Sequence, residues 1–241
     1  MNEVEAHYAD LLADHYSWMF GDFDTMVARQ KALLETLGIG PGTGATAIDL
    51  GAGSGFQTLA LSELGYKVIA IDTSDKLLAE LAGRARGLDI ECRCQTLLAL
   101  DQALLRNARV VVCMGDTLPH LQSKSEVGGL FETLATELPA GAAVVLTFRD
   151  LTEDRVGTQR FIPVRSDETR IMTCFLEYEP ETVVVHDLIY EHTGDGWRFH
   201  ASAYRKLRLG AGEIVAMLEG AGFSVPHHSD ENGFVVIKAV R

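Results

Sequence analysis

The densest group of chemically useful residues is AIDLGAGSGF (47–56), where Asp49 precedes Gly51, Gly53 and Gly55. Glycines at alternate positions let the backbone turn sharply and approach a ligand with no Cβ in the way. A helix that begins directly after them adds unpaired N–H groups and a partial positive charge. Seventeen residues beyond Gly55, Asp72 closes the next apolar run, YKVIAID (66–72). A carboxylate at that place accepts hydrogen bonds from both hydroxyls of an adenosine ribose. A dinucleotide turn usually reads G-x-G-x-x-G, whereas here the third glycine falls one place early and Phe56 takes the sixth position. Asp49, just ahead of the turn, repels a pyrophosphate but suits a ligand with an amino group or a sulfonium. Two ligand classes follow: an adenosine compound carrying a cation, or, as the alternative, the nicotinamide cofactor of an oxidoreductase.

These residues need strands to hold them and helices to cover the strands. Short apolar runs at 46–51, 66–72, 89–95, 108–115 and 142–148 alternate with helical stretches at about 55–64, 74–86, 98–105 and 123–138. Such alternation predicts right-handed crossovers and a mostly parallel sheet with helices on both faces. VIAI, VVVC and AVVL are too continuously apolar for a sheet with one wet face. Residues 3–37 read as helix in one or two pieces broken near Gly21. After Phe148 three β-rich runs over about 169–207, separated by EPET and HTGDG, predict an antiparallel meander. The parallel order then resumes with a helix over 211–221, a strand near 223–226 and a last strand over 233–240.

DLGAGSG resembles the first motif of the class I methyltransferases that use S-adenosylmethionine, and IAIDTSDKLL resembles their second. The resemblance implies an α/β fold: a Rossmann-like, mostly parallel seven-stranded sheet with an antiparallel β insertion after the fifth strand. It implies that Asp49 and the backbone of Gly51, Ala52, Gly53 and Gly55 serve the methionine portion. Asp72 then takes the ribose, Thr73 flanks the adenine, and Met114 and Gly115 lie near the methionyl or ribose groups. An N-terminal Tyr16 closes over the cofactor. The family often carries an acid after the third strand for the adenine amine; here CQTLLAL puts Thr96 or Leu97 there, and Leu97 is taken as the contact. A cofactor-binding protein without turnover is the non-enzyme alternative.

CMGDTLPHLQS (113–123) is similar to the substrate loop of the small-molecule N-methyltransferases of the glycine and sarcosine type, and TFRDLT (147–152) to their stretch after the fifth strand. The implied activity is methyl transfer to a small-molecule acceptor, an amine or amino-acid-like compound. Arg149 is then a clamp for an acceptor carboxylate, with Tyr204 as a second substrate contact from the insertion. Asp116 or His120 is the expected base that takes the amine proton.

Composition sets the outer bounds. The 241 residues carry 21 Lys and Arg against 34 Asp and Glu, a net charge of −13, which argues against nucleic acid and against an anionic membrane surface. Hydrophobic residues at 47% support a sizeable core. Four cysteines in apolar surroundings, no basic and apolar leader, and no membrane-length apolar run point to a cytoplasmic protein, monomer or homodimer. Cys92-x-Cys94 has no second pair at zinc spacing and His227-His228 reads as a loop pair, so no metal is expected. The expected organisation is one methyltransferase domain over 1–241, with a helical lid at 1–40 and an antiparallel β insertion at 151–205 that serves as substrate cover or dimer contact.

Overall fold

The computed structural model describes residues 3–241; residues 1 and 2 of the expected lid and domain lie outside the described residues. The N-terminal stretch forms three helices, α1 (Glu3–Asp10), α2 (Tyr16–Phe20) and α3 (Phe23–Thr36), with a 3-10 turn at Leu12–Asp14. One break falls at Gly21 and a second, not expected, at 11–15, so three pieces replace the one or two read from the sequence; Asp22 caps α3 by accepting from the Thr25 N–H at 2.9 Å.

The strands β1 (Thr46–Leu50), β2 (Lys67–Asp72), β3 (Ile90–Cys94), β4 (Ala108–Cys113) and β5 (Ala143–Arg149) are joined by α4 (Phe56–Glu63), α5 (Asp75–Arg84), α6 (Gln102–Leu105) and α7 (Lys124–Glu137). After the insertion come α8 (Ala211–Ala221), β10 (Ser224–Glu231) and β11 (Phe234–Val240). The seven-stranded sheet has the order β10-β11-β5-β4-β1-β2-β3. Successive residues of each central strand feed opposite layers. Ile48, Val111 and Leu146 pack with Phe131 of α7 and Ile214 of α8, while Ala47, Val110 and Val145 pack with Leu34 of α3 and Leu61 of α4. Both faces are therefore dry, as the unbroken apolar runs require. Strand order reverses between β1 and β4, and the turns that follow these two strands open a crevice at that switch point.

The parallel order does not resume at the end of the chain. β11 runs antiparallel to β5, and β10 runs antiparallel to β11. The reason is a tight turn at Asn232-Gly233, both at positive φ, which folds 224–240 into a hairpin. It also places His227 and His228 on β10 instead of in a loop.

The insertion forms a separate four-stranded antiparallel sheet, β6 (Phe161–Ser166), β7 (Arg170–Tyr178), β8 (Thr182–Thr193) and β9 (Gly196–Leu207). It has one strand more than the three β-rich runs predict and ends two residues past 205. β6 carries Pro163 beside a register shift, which hides its alternation and suits it to the edge of the sheet. One face of this second sheet packs on the N-terminal helices: Met172 and Ile189 meet Leu11 and Leu12.

Candidate active site

β1 runs into Gly51 and Gly53 at φ +78° and +52°. No other residue fits easily at either place. A Cβ on Gly51 would lie 2.3 Å from the Thr117 side chain, and one on Gly53 would lie 3.2 Å from the Tyr16 ring. The loops after β1 and β4 are thus in contact, with α2 seated over the turn. Asp72 closes the other side. One carboxylate oxygen accepts from the Gly53 N–H at 2.8 Å and the other from the Ser74 N–H at 2.8 Å. Burial raises the Asp72 carboxyl above its usual range, against the pull of those N–H donors.

A cavity lies above this turn. Tyr16, Gly51, Gly53, Asp72, Thr73, Leu97, Gly115 and His120 of the predicted residues line it. Its ionisable lining consists of acids, tyrosines and a histidine; no Lys or Arg is among the described residues there. That electrical character suits a cationic adenosine compound and disfavours a pyrophosphate. Asp72 also keeps acceptor capacity, since two of about four lone-pair sites are used. The chain therefore fits S-adenosylmethionine. Thr96 and Leu97 both face the cavity where the family often has an acid.

Four predicted cofactor residues sit behind the wall rather than on it. Ala52 packs with Leu78 and Leu81 of α5, the Met114 side chain is in the core, and Gly55 caps α4 at φ +101°. Asp49 is 1% exposed, with one oxygen accepting from Thr58 Oγ1 at 2.6 Å and the other, Oδ1, unpartnered among the described residues. Burial pushes its carboxyl up to about 7.

A second cavity of about 320 Å³ adjoins the first, between α1, α2 and the inner face of the inserted sheet. The two share Tyr8, Tyr16, Gly115 and His120. Much of the larger cavity is apolar, with Leu12, Met19, Phe20, Val164, Met172 and Leu176 among its walls. Asp116, Arg149 and Tyr204 are among its lining residues. The arginine pairs with neither Asp150 nor Asp187; its backbone N–H donates to Asp116 Oδ1 at 2.8 Å.

Asp116 is not built as a base. Its second oxygen lies 2.5 Å from Lys206 Nζ. Burial would raise this carboxyl, but the Lys206 ammonium and the Arg149 N–H outweigh burial and hold it below its usual range. The lowered carboxyl makes Asp116 a weak acceptor of a substrate proton. His120 is pushed down to about 3 by burial, reinforced by Lys206. It is a neutral imidazole at ordinary pH and too weak a base to carry off an ammonium proton. Its Nε2 is buried without a partner among the described residues. The ring lies edge-on to Tyr8 and Tyr204, with centroids 5.9 and 5.5 Å away. Both shifts run against the expected proton-taking role of these two residues.

Sequence reasoning missed four residues of this region. Lys206 and Asp187 alternate with apolar neighbours on the buried face of the insertion, a signal available once that face is identified. Tyr8 and His7 come from α1. His7 Nε2 lies 2.8 Å from Asp187 Oδ2, with the two residues 2% and 1% exposed, and the His7 ring rests on Tyr204 at 4.3 Å. This buried pair fastens the helix over the first cavity to the wall of the second. Among the described residues no cluster has the makings of a metal site, and no helix is long and apolar enough to cross a membrane.

Residues 47–140 match the family model described as a methyltransferase domain. No curated protein matches the chain. Solved structures share the fold. The CcbJ methyltransferase from Streptomyces caelestis has a TM-score of 0.80 at 20% identity, over 98% of both chains. CalS10, an amino pentose methyltransferase from Micromonospora echinaspora involved in calicheamicin biosynthesis, has a TM-score of 0.76 at 14% identity, over 95% of both. The sugar N-methyltransferase KedS8 from a Streptoalloteichus species has a TM-score of 0.73 at 15% identity, over 97% of this chain and 92% of its own.

Proposed function

We propose that this chain is a class I S-adenosylmethionine-dependent methyltransferase that acts on an uncharged amine of a small, partly apolar molecule. The observation that carries the reading is the unpartnered Nε2 of His120, on a ring that lines both cavities. When bound in the first cavity, the cofactor supplies an electrophilic methyl group on a cationic sulfur. Asp72 holds the ribose hydroxyls with the lone pairs left free by Gly53 and Ser74. Tyr8 and Tyr16, shared by the two cavities, offer aromatic faces that stabilise a cation by ~0.5–2 kcal/mol.

The acceptor enters the second cavity, whose size suits a small molecule and not a folded chain. A cationic sulfur on the bound cofactor would disfavour a protonated amine beside it, which selects the neutral form. His120 Nε2 accepts a hydrogen bond from the amine N–H and thereby fixes the direction of the nitrogen lone pair. Such orientation is the main catalytic resource for an in-line displacement. Arg149 receives a carboxylate or other anion on the acceptor, which is the amino-acid-like form of the reading; the neighbours described as sugar N-methyltransferases support an amine. Labelled S-adenosylmethionine offered with matched panels of small amines and alcohols tests the proposal. Label passes to amines, faster as pH rises toward the amine's own pKa. Transfer to alcohols alone overturns it.

A further inference from the structure

Two anchors hold one side of α1 on the inserted sheet. Glu3 meets Arg205 Nη1 at 3.0 Å, and His7 Nε2 meets Asp187 at 2.8 Å. Residues four apart share a helix face, so that face belongs to the sheet. Glu5 stands two residues from each anchor and therefore about half a turn round the helix. There it lines the first cavity, with Val4 and Tyr8 beside it. Tyr8 also lines the second cavity, whereas Glu5 lines the first alone.

One end of the first cavity is built from the tips of β2 and β3. Asp72 stands opposite Cys94 in the strand register, and the Gln95 N–H donates to the Asp72 carbonyl at 3.0 Å. Thr73, Thr96 and Leu97 follow these tips and line the cavity. The Cys94 thiol registers where Glu5 sits. Its bond to Asp75 and its burial raise it most, and the charges of Asp72 and Glu5 add to the rise. Glu5 therefore reaches this end from α1. Asp72 and Glu5 are the two carboxylates that line the cavity.

We infer that Glu5 accepts the hydrogen bond of the adenine amine when S-adenosylmethionine is bound, an inference that rests on the adenosyl reading of this cavity. Asp72 takes the ribose, which assigns the other carboxylate to the base. An amine N–H needs one of the roughly four lone-pair sites of a carboxylate. The Thr96 hydroxyl is a poorer partner, because it is uncharged and already accepts from the Leu98 N–H at 3.4 Å. Leu97 has no side-chain acceptor. The acid missing after β3 is thus supplied by α1, the helix that also carries His7 to the wall of the second cavity.

Calorimetry on the full chain tests this with two ligands: adenosylhomocysteine, and its analogue with hydrogen in place of the adenine amine. The wild type prefers adenosylhomocysteine by about tenfold, the worth of one charge-assisted hydrogen bond. Glu5→Ala abolishes the preference by weakening adenosylhomocysteine alone, and the unchanged affinity for the analogue shows that the site is intact. Glu5→Gln, which keeps an acceptor, retains part of the preference and serves if the alanine variant does not fold. A Glu5→Ala protein that still prefers adenosylhomocysteine tenfold overturns the inference and gives the amine to Thr96 or to the backbone. An equal loss for both ligands overturns it too, since Glu5 then supports the cavity without reading the base. So does a wild type that binds the two ligands equally. A wild type that binds neither overturns the adenosyl reading itself.

Discussion

Lys206 Nζ lies 2.5 Å from Asp116 Oδ2 and joins β9 of the inserted sheet to the loop after β4. Asp116 holds that loop in an unusual backbone conformation for a non-glycine residue, φ +77°. One ion pair thus fixes the relative position of two walls of the second cavity.

Lys206→Met should cost about 1–3 kcal/mol in denaturant unfolding, less than a fully buried pair because both side chains keep some exposure. The pH dependence has a definite sign. In the wild type the Asp116 carboxyl is depressed, so its contribution is present above the unfolded value of about 4 and is lost as pH falls below it. In Lys206→Met burial stands unopposed by an ammonium, and this acid-side loss disappears. A variant with unchanged acid unfolding contradicts the assignment.

Asp72→Asn should weaken adenosylhomocysteine binding by about 1–3 kcal/mol, roughly tenfold to a hundredfold, because charge-assisted hydrogen bonds are lost. Isothermal calorimetry reads this directly. An unchanged affinity removes Asp72 from the ribose.

His120→Ala should lower kcat by about tenfold, the worth of one hydrogen bond, with adenosylhomocysteine affinity nearly unchanged. His120→Asn, which keeps an acceptor, should recover part of the loss. The wild-type rate should show no ionisation of His120 between pH 5 and 9, since its imidazole titrates near 3. A protein ionisation near 6.5 that vanishes in His120→Ala would restore the base role.

Asp49 gives the opposite pH signature from Asp116. Its folded-state carboxyl titrates near 7, above the unfolded value, so the protonated form is the one the fold favours. Its contribution is complete below about pH 4 and is lost as pH rises through 7, by up to ~4 kcal/mol. Asp49→Asn should flatten that part of the stability curve, as thermal melts from pH 4 to 8 would show.

What was legible in the sequence was what depends on neighbours in the chain. The glycine turn, Asp72 and the β–α rhythm are local signals, because turn chemistry and apolar run length act over a few residues. The environments of Asp116 and His120 were not legible, because they are set by burial and by Lys206, which is 90 residues from Asp116 in the chain. Alternation on β8 and β9 separates two faces but does not say which one meets the protein body. That choice rests on α1, where His7 reaches Asp187 across 180 residues of sequence.

The inserted sheet is a partition one strand thick. Along β9, Tyr204 and Lys206 line the second cavity, while Trp197, Phe199 and Ala201 face outward. A single step along the strand changes the selective pressure a residue experiences. Substitutions on the same strands can therefore reshape the cavity wall and leave the outer surface untouched, or the reverse.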